Sequence, residues 1–307
     1  MSVFLFPGQG SQGVGMGRDI YGAFPAVRKI YDQAVDLLGF DLRRISFEGP
    51  DDELKQTQIT QPALFVHSLA LDMLAKERGL QPQATAGHSL GEFSAVVSAT
   101  ALDFTDALEI VRVRGAEMAR AGEIAPGAMA AIIGADNSQL DRICSRASET
   151  GVVVPANLNA PGQIVLSGDV AAIDHAVELA KELGIRRAIK LNVSGAFHSP
   201  LMVPARPALC AALDQAVFKD PQVPVYQNVT GQPALTAAEI KSNLLSQLEQ
   251  PVRWEETIRR LWNDGFTEFH EVGAGKILQG LNRRILPEAV TTGLSSAGDL
   301  DGLNVSA

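Results

Sequence analysis

Residues 84–100 read Ala-Thr-Ala-Gly-His-Ser-Leu-Gly-Glu-Phe-Ser-Ala-Val-Val-Ser-Ala-Thr. Ala84 to Gly87 has the pattern of a short buried strand, and a helix follows to about Thr100, so the Gly-x-Ser-x-Gly sequence at 87–91 lies on a strand-to-helix turn. A nucleophile elbow requires that context. The serine sits on the tight turn, the glycines allow close packing, and the helix N-terminus offers N–H groups and positive dipole to an oxyanion. The bland alternative is a glycine-flanked turn serine without chemistry; the flanking strand and helix favour the elbow.

Working outward, short apolar runs rich in β-formers alternate with longer segments of helical period, the pattern of an α/β sheet covered by helices. Ser2 to Phe6 reads as the first strand. Pro25 to Leu38 reads as an amphipathic helix stopped by Gly39, and Thr60 to Arg78 as another, stopped by Gly79. From about Gly127 the order becomes β-α-β-β-α-β: strands at 128–133, 152–156, 163–167 and 187–193, helices at 137–149 and 171–183. This is a ferredoxin-like unit inserted between larger α/β stretches. Beyond it, helices are expected at 201–217, 237–248 and 255–263, with strands near 223–226 and 267–271. The division is therefore 1–126 with 194–296 as a large domain, 127–193 as the insert, and 297–307 as a frayed tail.

The chain has 307 residues, 46% hydrophobic and 20% charged, which excludes disorder and fibrous repeats. A formal charge of −9 argues against broad binding to nucleic acid or an anionic membrane. The longest uncharged stretch, 150–168, contains Pro155, Asn157, Asn159, Pro161 and Gln163, so it is no membrane helix. Met1 to Phe6 is too short for a secretory apolar segment. The expected compartment is the cytoplasm, where Cys144 and Cys210, spaced for neither metal nor redox chemistry, remain thiols.

A serine nucleophile needs a base, and five histidines are candidates. His67 lies inside a helix, His175 on the second helix of the insert, and His270 at a strand end. His88 adjoins the serine and points elsewhere at a sharp turn. His198, in Gly195-Ala196-Phe197-His198-Ser199-Pro200, falls where the insert returns to the large domain, and such crossovers border clefts. Two other glycine-rich turns invite phosphate readings. Gly8-Gln9-Gly10-Ser11-Gln12-Gly13 matches a dinucleotide fingerprint literally, but no second strand with a terminal acid follows it. Gly273-Ala274-Gly275-Lys276 fails the P-loop pattern, with His270 at the first glycine position and Ile277 after the lysine.

Five segments, in order, carry a resemblance: Phe6-Pro7-Gly8-Gln9-Gly10-Ser11-Gln12, Gly87-His88-Ser89-Leu90-Gly91, Arg112-x-Arg114-Gly115, Ala196-Phe197-His198-Ser199 and Gln250-Pro251-Val252-Arg253-Trp254. Together they resemble malonyl-CoA:acyl-carrier-protein transacylases, the discrete acyltransferases of fatty-acid and some polyketide synthesis. The resemblance implies a hydrolase-like large domain with a ferredoxin-like insert, in agreement with the element order. It implies Ser89 as nucleophile, His198 as general base and then acid, and the Gln9 and Leu90 N–H groups as oxyanion donors. It also implies that a main-chain carbonyl near Gln247 orients the histidine, and that Arg114 holds the malonyl carboxylate by two parallel hydrogen bonds.

Phe197 and Leu90 match malonyl-using members, so malonyl is expected over methyl-branched substrates. The implied partners are malonyl-CoA and an acidic acyl carrier protein, with no nucleic acid, membrane, cofactor or metal. Basic candidates for carrier docking are Arg186, Arg187 and Lys190 on the insert, and Arg283 and Arg284 on the large domain; each also reads as a solvated face. Two other functions remain open: a thioester hydrolase with the same Ser-His pair, and a non-catalytic carrier-binding homologue.

Overall fold

A computed structural model describes residues 1–303. Ten strands form two sheets: β1 (Ser2–Phe6), β2 (Ala84–Gly87), β3 (Gly127–Ile133), β4 (Val153–Ala160), β5 (Gln163–Asp169), β6 (Arg187–Lys190), β7 (Val225–Tyr226), β8 (Pro233–Ala234), β9 (Glu268–Val272) and β10 (Val290–Leu294). The larger sheet has the order β10-β9-β1-β2-β7-β8 and is parallel except for the β7–β8 pair. The smaller, β4-β5-β3-β6, is wholly antiparallel. With its two helices it has the ferredoxin-like order expected for the insert.

All five residues of β1 are buried, because helices cover both faces of a parallel sheet. The strand alternation divides the interior accordingly. Phe4 and Phe6 join the core beneath the long helices Thr57–Glu77 and Phe104–Ile124. Val3 and Leu5 face the core of Trp254, Ile258 and Phe269. The insert has a third core around Ile132, Leu166 and Ile173.

Local signals account for most elements. The helix Pro25–Leu38 begins with proline in its first turn and ends at Gly39, whose φ of 74° is the left-handed conformation that a glycine stop supplies. The insert leaves and rejoins the large unit along a seam of small residues. A Cβ at Gly122 would lie 2.1 Å from Ser194 O, and one at Gly127 would lie 2.5 Å from Ala196 Cβ.

Several expectations are corrected. The helix expected over 201–217 is a 3₁₀ segment, Pro200–Ala205, followed by an α-helix, Arg206–Gln215, because Pro204 and Pro207 interrupt the α ladder. The strand expected over 187–193 ends at Lys190, with Leu191 N still donating to Met129 O at 2.8 Å. The frayed tail is also corrected over its first part: Ala297–Asp301 is a helix capped by Ser296, with Leu300 buried and Ala297 N donating to Asp19; residues 304–307 lie outside the described part. No helix among the described residues is long and apolar enough to cross a membrane.

Candidate active site

The strand β2 ends at Gly87 and the helix Gly91–Ser98 starts four residues later. Ser89 between them has φ of 51°, a left-handed backbone that costs a non-glycine residue about 1–2 kcal/mol. The surroundings impose it. A Cβ at Gly87 would lie 1.9 Å from the Gly91 carbonyl carbon, and one at Gly91 would lie 2.0 Å from Phe6 O. Asn228 ties the turn from the side: its Oδ1 accepts from Ser89 N at 2.7 Å, and its Nδ2 donates to Gly87 O at 2.7 Å.

Ser89 Oγ lies 2.7 Å from His198 Nε2, although the two residues reach the site from different segments. His198 also has a positive φ, 58°, and its Nδ1 donates to the main-chain oxygen of Gln247 at 2.7 Å. That bond fixes the tautomer whose Nε2 can accept a proton. Burial, with the Arg114 guanidinium nearby, pushes the His198 pKa down to about 3, so the imidazole is neutral and its Nε2 carries an unprotonated lone pair.

Arg114, on the helix Phe104–Ile124, is 1% exposed. Its Nη1 donates to Gln61 Oε1 at 2.7 Å, while its Nη2 donates to Gln247 Oε1 at 2.8 Å and to Ser89 Oγ at 3.2 Å. Its Nε has no partner among the described residues, and the guanidinium carbon sits 5.4 Å from the Phe93 ring centre. Among the described residues no carboxylate touches this guanidinium, and burial draws its pKa down to about 10. A buried cation held only by neutral acceptors has unspent capacity for an anion.

A cavity of about 100 Å³ opens beside these groups, lined by Gln9, Ser89, Leu90, Arg114, Phe197 and His198 among others. Gln9 reaches it because the loop after β1 packs hard on the elbow: a Cβ at Gly8 would lie 2.4 Å from His88 O. The N–H groups of Gln9 and Leu90 bond no acceptor among the described residues. Met129, Asn157, Leu191 and Val193 close the cavity from the insert side.

The structure thus brings Ser89, His198, Gln9, Leu90, Arg114, Gln247 and Phe197 together. His88 holds the loop, with Nε2 2.8 Å from Asn159 Oδ1 and its ring 5.5 Å from that of Trp254. The basic docking candidates stand apart. Arg186, Arg187, Arg283 and Arg284 are exposed, whereas Lys190 is paired with Asp174 at 2.7 Å. The turn after β9 is filled: Glu271 Oε1 accepts from Leu278 N at 2.9 Å and Oε2 from Gln279 N at 3.1 Å, so a carboxylate of the chain occupies the place a phosphate would take.

Three site residues are absent from the sequence reading. Gln61 had a signal, as a polar residue inside a helix buried nearly all round, and Glu92 directly follows the elbow. Asn228 carried none. Glu92 is 0% exposed, and burial pushes its pKa up to about 7.

A family model described as "Acyl transferase domain" matches residues 3–290. The malonyl CoA-acyl carrier protein transacylase of Bacillus subtilis is 48% identical over 94% of this chain and 92% of its own. The crystal structure of malonyl-CoA:acyl carrier protein transacylase from Xanthomonas oryzae superposes with a TM-score of 0.94 at 40% identity, covering 98% of this chain and 96% of that one. A malonyl-transacylase in complex with its type II polyketide synthase acyl-carrier protein superposes at 0.95 and 38% identity, covering 100% and 99%.

Proposed function

This chain belongs to the malonyl-CoA:acyl-carrier-protein transacylases, and on that premise we propose that Ser89 and His198 carry a malonyl group from coenzyme A to the phosphopantetheine thiol of an acyl carrier protein through a serine ester. The carrying observation is the 2.7 Å contact of Ser89 Oγ with His198 Nε2, beside a buried guanidinium 3.2 Å from the same oxygen. The product supplies fatty-acid or polyketide synthesis.

In the first half-reaction His198 Nε2 accepts the Ser89 proton as Oγ adds to the thioester carbonyl. The N–H groups of Gln9 and Leu90 receive the oxyanion, a role supported by their lack of internal acceptors. Cleavage of the C–S bond releases coenzyme A, whose sulfur takes the proton from His198. In the second half the carrier thiol gives its proton to His198, adds to the ester carbonyl and displaces Ser89 Oγ, which recovers the proton. Gln247 O holds the imidazole throughout, in the place an acid takes in other triads.

Arg114 receives the malonyl carboxylate in this reading, supported by its burial and its unpartnered Nε. Phe197 and Leu90 wall a cavity suited to a short, unbranched acyl group. Residues 1–126 and 194–296 act as the catalytic unit, and 127–193 as an insert that roofs the cavity. No cofactor enters the reaction: coenzyme A and phosphopantetheine arrive with the substrates. The free thiols of Cys144 and Cys210 suit the cytoplasm.

Intact-mass measurement after mixing with malonyl-CoA tests the reading. A malonyl adduct is expected, lost in Ser89→Ala and discharged by holo carrier protein. Decay of the adduct at the same rate without carrier would indicate a hydrolase, and an undiminished adduct on Ser89→Ala would place the nucleophile elsewhere. For docking, the exposed Arg186 and Arg187 are the candidates on the insert and Arg283 and Arg284 those on the large unit. Reversing Arg186 and Arg187 to Glu is expected to raise carrier KM and flatten its salt dependence without changing loading by malonyl-CoA; unchanged carrier kinetics would remove the patch.

A further inference from the structure

Glu92 sits in the first turn of the helix Gly91–Ser98, fully buried, and does not line the cavity. Its Oε1 accepts from Asn228 N at 3.3 Å and its Oε2 from Gln247 Nε2 at 2.5 Å. Gln247 Nε2 donates also to Ser89 O at 2.9 Å, and Gln247 Oε1 accepts from Arg114 Nη2 at 2.8 Å. Above the Glu92 pKa of about 7, one amide therefore stands between an anion and a cation. An ionised carboxylate only accepts hydrogen bonds and a guanidinium only donates them, so the amide has a single orientation that satisfies both.

We propose that Glu92 is a positioning residue acting through the Gln247 side chain: it turns that amide's oxygen onto Arg114, fixes the guanidinium, and so sets the preference for carboxylate-bearing acyl groups. The proposal rests on the reading that Arg114 receives the malonyl carboxylate. A buried carboxylate is costly to keep, yet this one touches neither the nucleophile nor the base directly. What it reaches is the node joining Ser89, His198 and Arg114, since the main-chain oxygen of the same Gln247 holds the imidazole. In Glu92→Gln an amide of the same shape has two needs it cannot meet together. It must accept from Asn228 N and also from Gln247 Nε2, but it has one oxygen; the other end presents a donor to a donor. Turning Gln247 over would relieve that clash only by aiming its NH₂ at Arg114.

The test measures kcat/KM for malonyl-CoA and acetyl-CoA at pH 8 in the wild type, Glu92→Gln, Gln247→Met, their double variant and Arg114→Ala. Glu92→Gln is expected to lower the malonyl value about tenfold or more, the scale of one hydrogen bond to a charged group, through KM, with acetyl changed by less than about threefold on the same scale. In the Gln247→Met background, which lacks the relay, Glu92→Gln is expected to leave the malonyl-to-acetyl ratio where it was. A ratio untouched by Glu92→Gln, or shifted equally in both backgrounds, overturns the proposal. Arg114→Ala separates the two layers. If it leaves the ratio unchanged, the carboxylate reading fails; if it collapses the ratio while Glu92→Gln does not, only the role of Glu92 fails. Should Glu92→Gln not fold, Glu92→Asp, which withdraws the carboxylate by one methylene, is read in the same two backgrounds by the same criteria.

Discussion

Two turns on either side of β1 share a plan and differ in outcome. At the end of β2 the chain turns through Gly87-His88-Ser89-Leu90-Gly91 into a helix, and at the end of β9 it turns through Gly273-Ala274-Gly275-Lys276 into another. Both are glycine-rich, and both lie at the carboxyl ends of parallel strands, where α/β sheets bind ligands. The loop after β1 packs against each: Gly8 approaches His88 O, and a Cβ at Gly273 would lie 2.7 Å from the Pro7 ring. Yet the first leaves the Leu90 N–H without an acceptor among the described residues and a serine raised on a left-handed backbone, while the second spends its N–H groups on Glu271. A helix N-terminus becomes a site only when the chain withholds its own acceptor.

The largest way to break the distinction is to deform the elbow. Gly87→Ala would place a methyl group into the Gly91 backbone, at a cost above about 4 kcal/mol that few sites absorb. Neither malonyl loading nor a wild-type melting temperature is expected, and a variant that loads normally would show the elbow to be far softer than its contacts imply. Next in size is His198→Ala, which keeps the turn and removes the proposed proton acceptor. Acylation is expected to slow by about 10² to 10⁴, as single-turnover loading would show. In the wild type the acid limb of kcat/KM for acetyl-CoA, a substrate that makes no use of the Glu92 carboxylate, should fall well below pH 6.5. The base works while neutral, and a pKa lowered to about 3 delays its protonation as pH falls; an acid limb at 6.5 would mean that the imidazole is solvated.

The smallest effect sharpens the comparison from the other side. Glu271→Ala empties the filled turn, so loss of its helix-capping bonds is expected to cost about 1–3 kcal/mol. The melting temperature would drop by a few degrees per kcal/mol, with kcat/KM unchanged. A large fall in activity at unchanged stability would make that turn part of the reaction.

Much of this was legible in the sequence, for reasons that also mark where legibility stops. Glycine spacing and strand-helix context exposed Ser89, and the crossover exposed His198; Gln9, Leu90, Arg114 and Gln247 came through resemblance. The alternation of elements yielded both sheets. β8 and β10 escaped because two residues carry no period and Val290-Thr291-Thr292-Gly293-Leu294 is a half-exposed edge. The helix at Ala297–Asp301 hid behind small residues, though Ser296 three positions before Asp299 is the start signal of a capped helix. Glu92 and Asn228 could not be read because their importance lies in partners far along the chain: Asn228 bonds Gly87 across 141 positions, a relation no local pattern encodes.

The glycine seam has a consequence for how this protein can change. The points where the chain departs, Gly122 and Gly127, touch the points where it returns, Ser194 and Ala196, so the large unit bears the insert as a loop whose ends are already joined. Loop-closure entropy grows only logarithmically, about 0.6 kcal/mol for each doubling of length. Added length in the outer loops of the excursion therefore costs the host sheet little, whereas β4, which bonds Val252 through Ala156 and Leu158, is tied to the host. The seam has no such freedom. A single methyl group at Gly122 or Gly127 must push back the returning strand of chain, and His198 rides on that strand a few residues later. Variation in the outer part of the roof, away from the cavity-lining Met129, Asn157, Leu191 and Val193 and from Asn159 on His88, is thus decoupled from the site, while one hydrogen exchanged for a carbon at the hinge line moves the proposed proton acceptor itself.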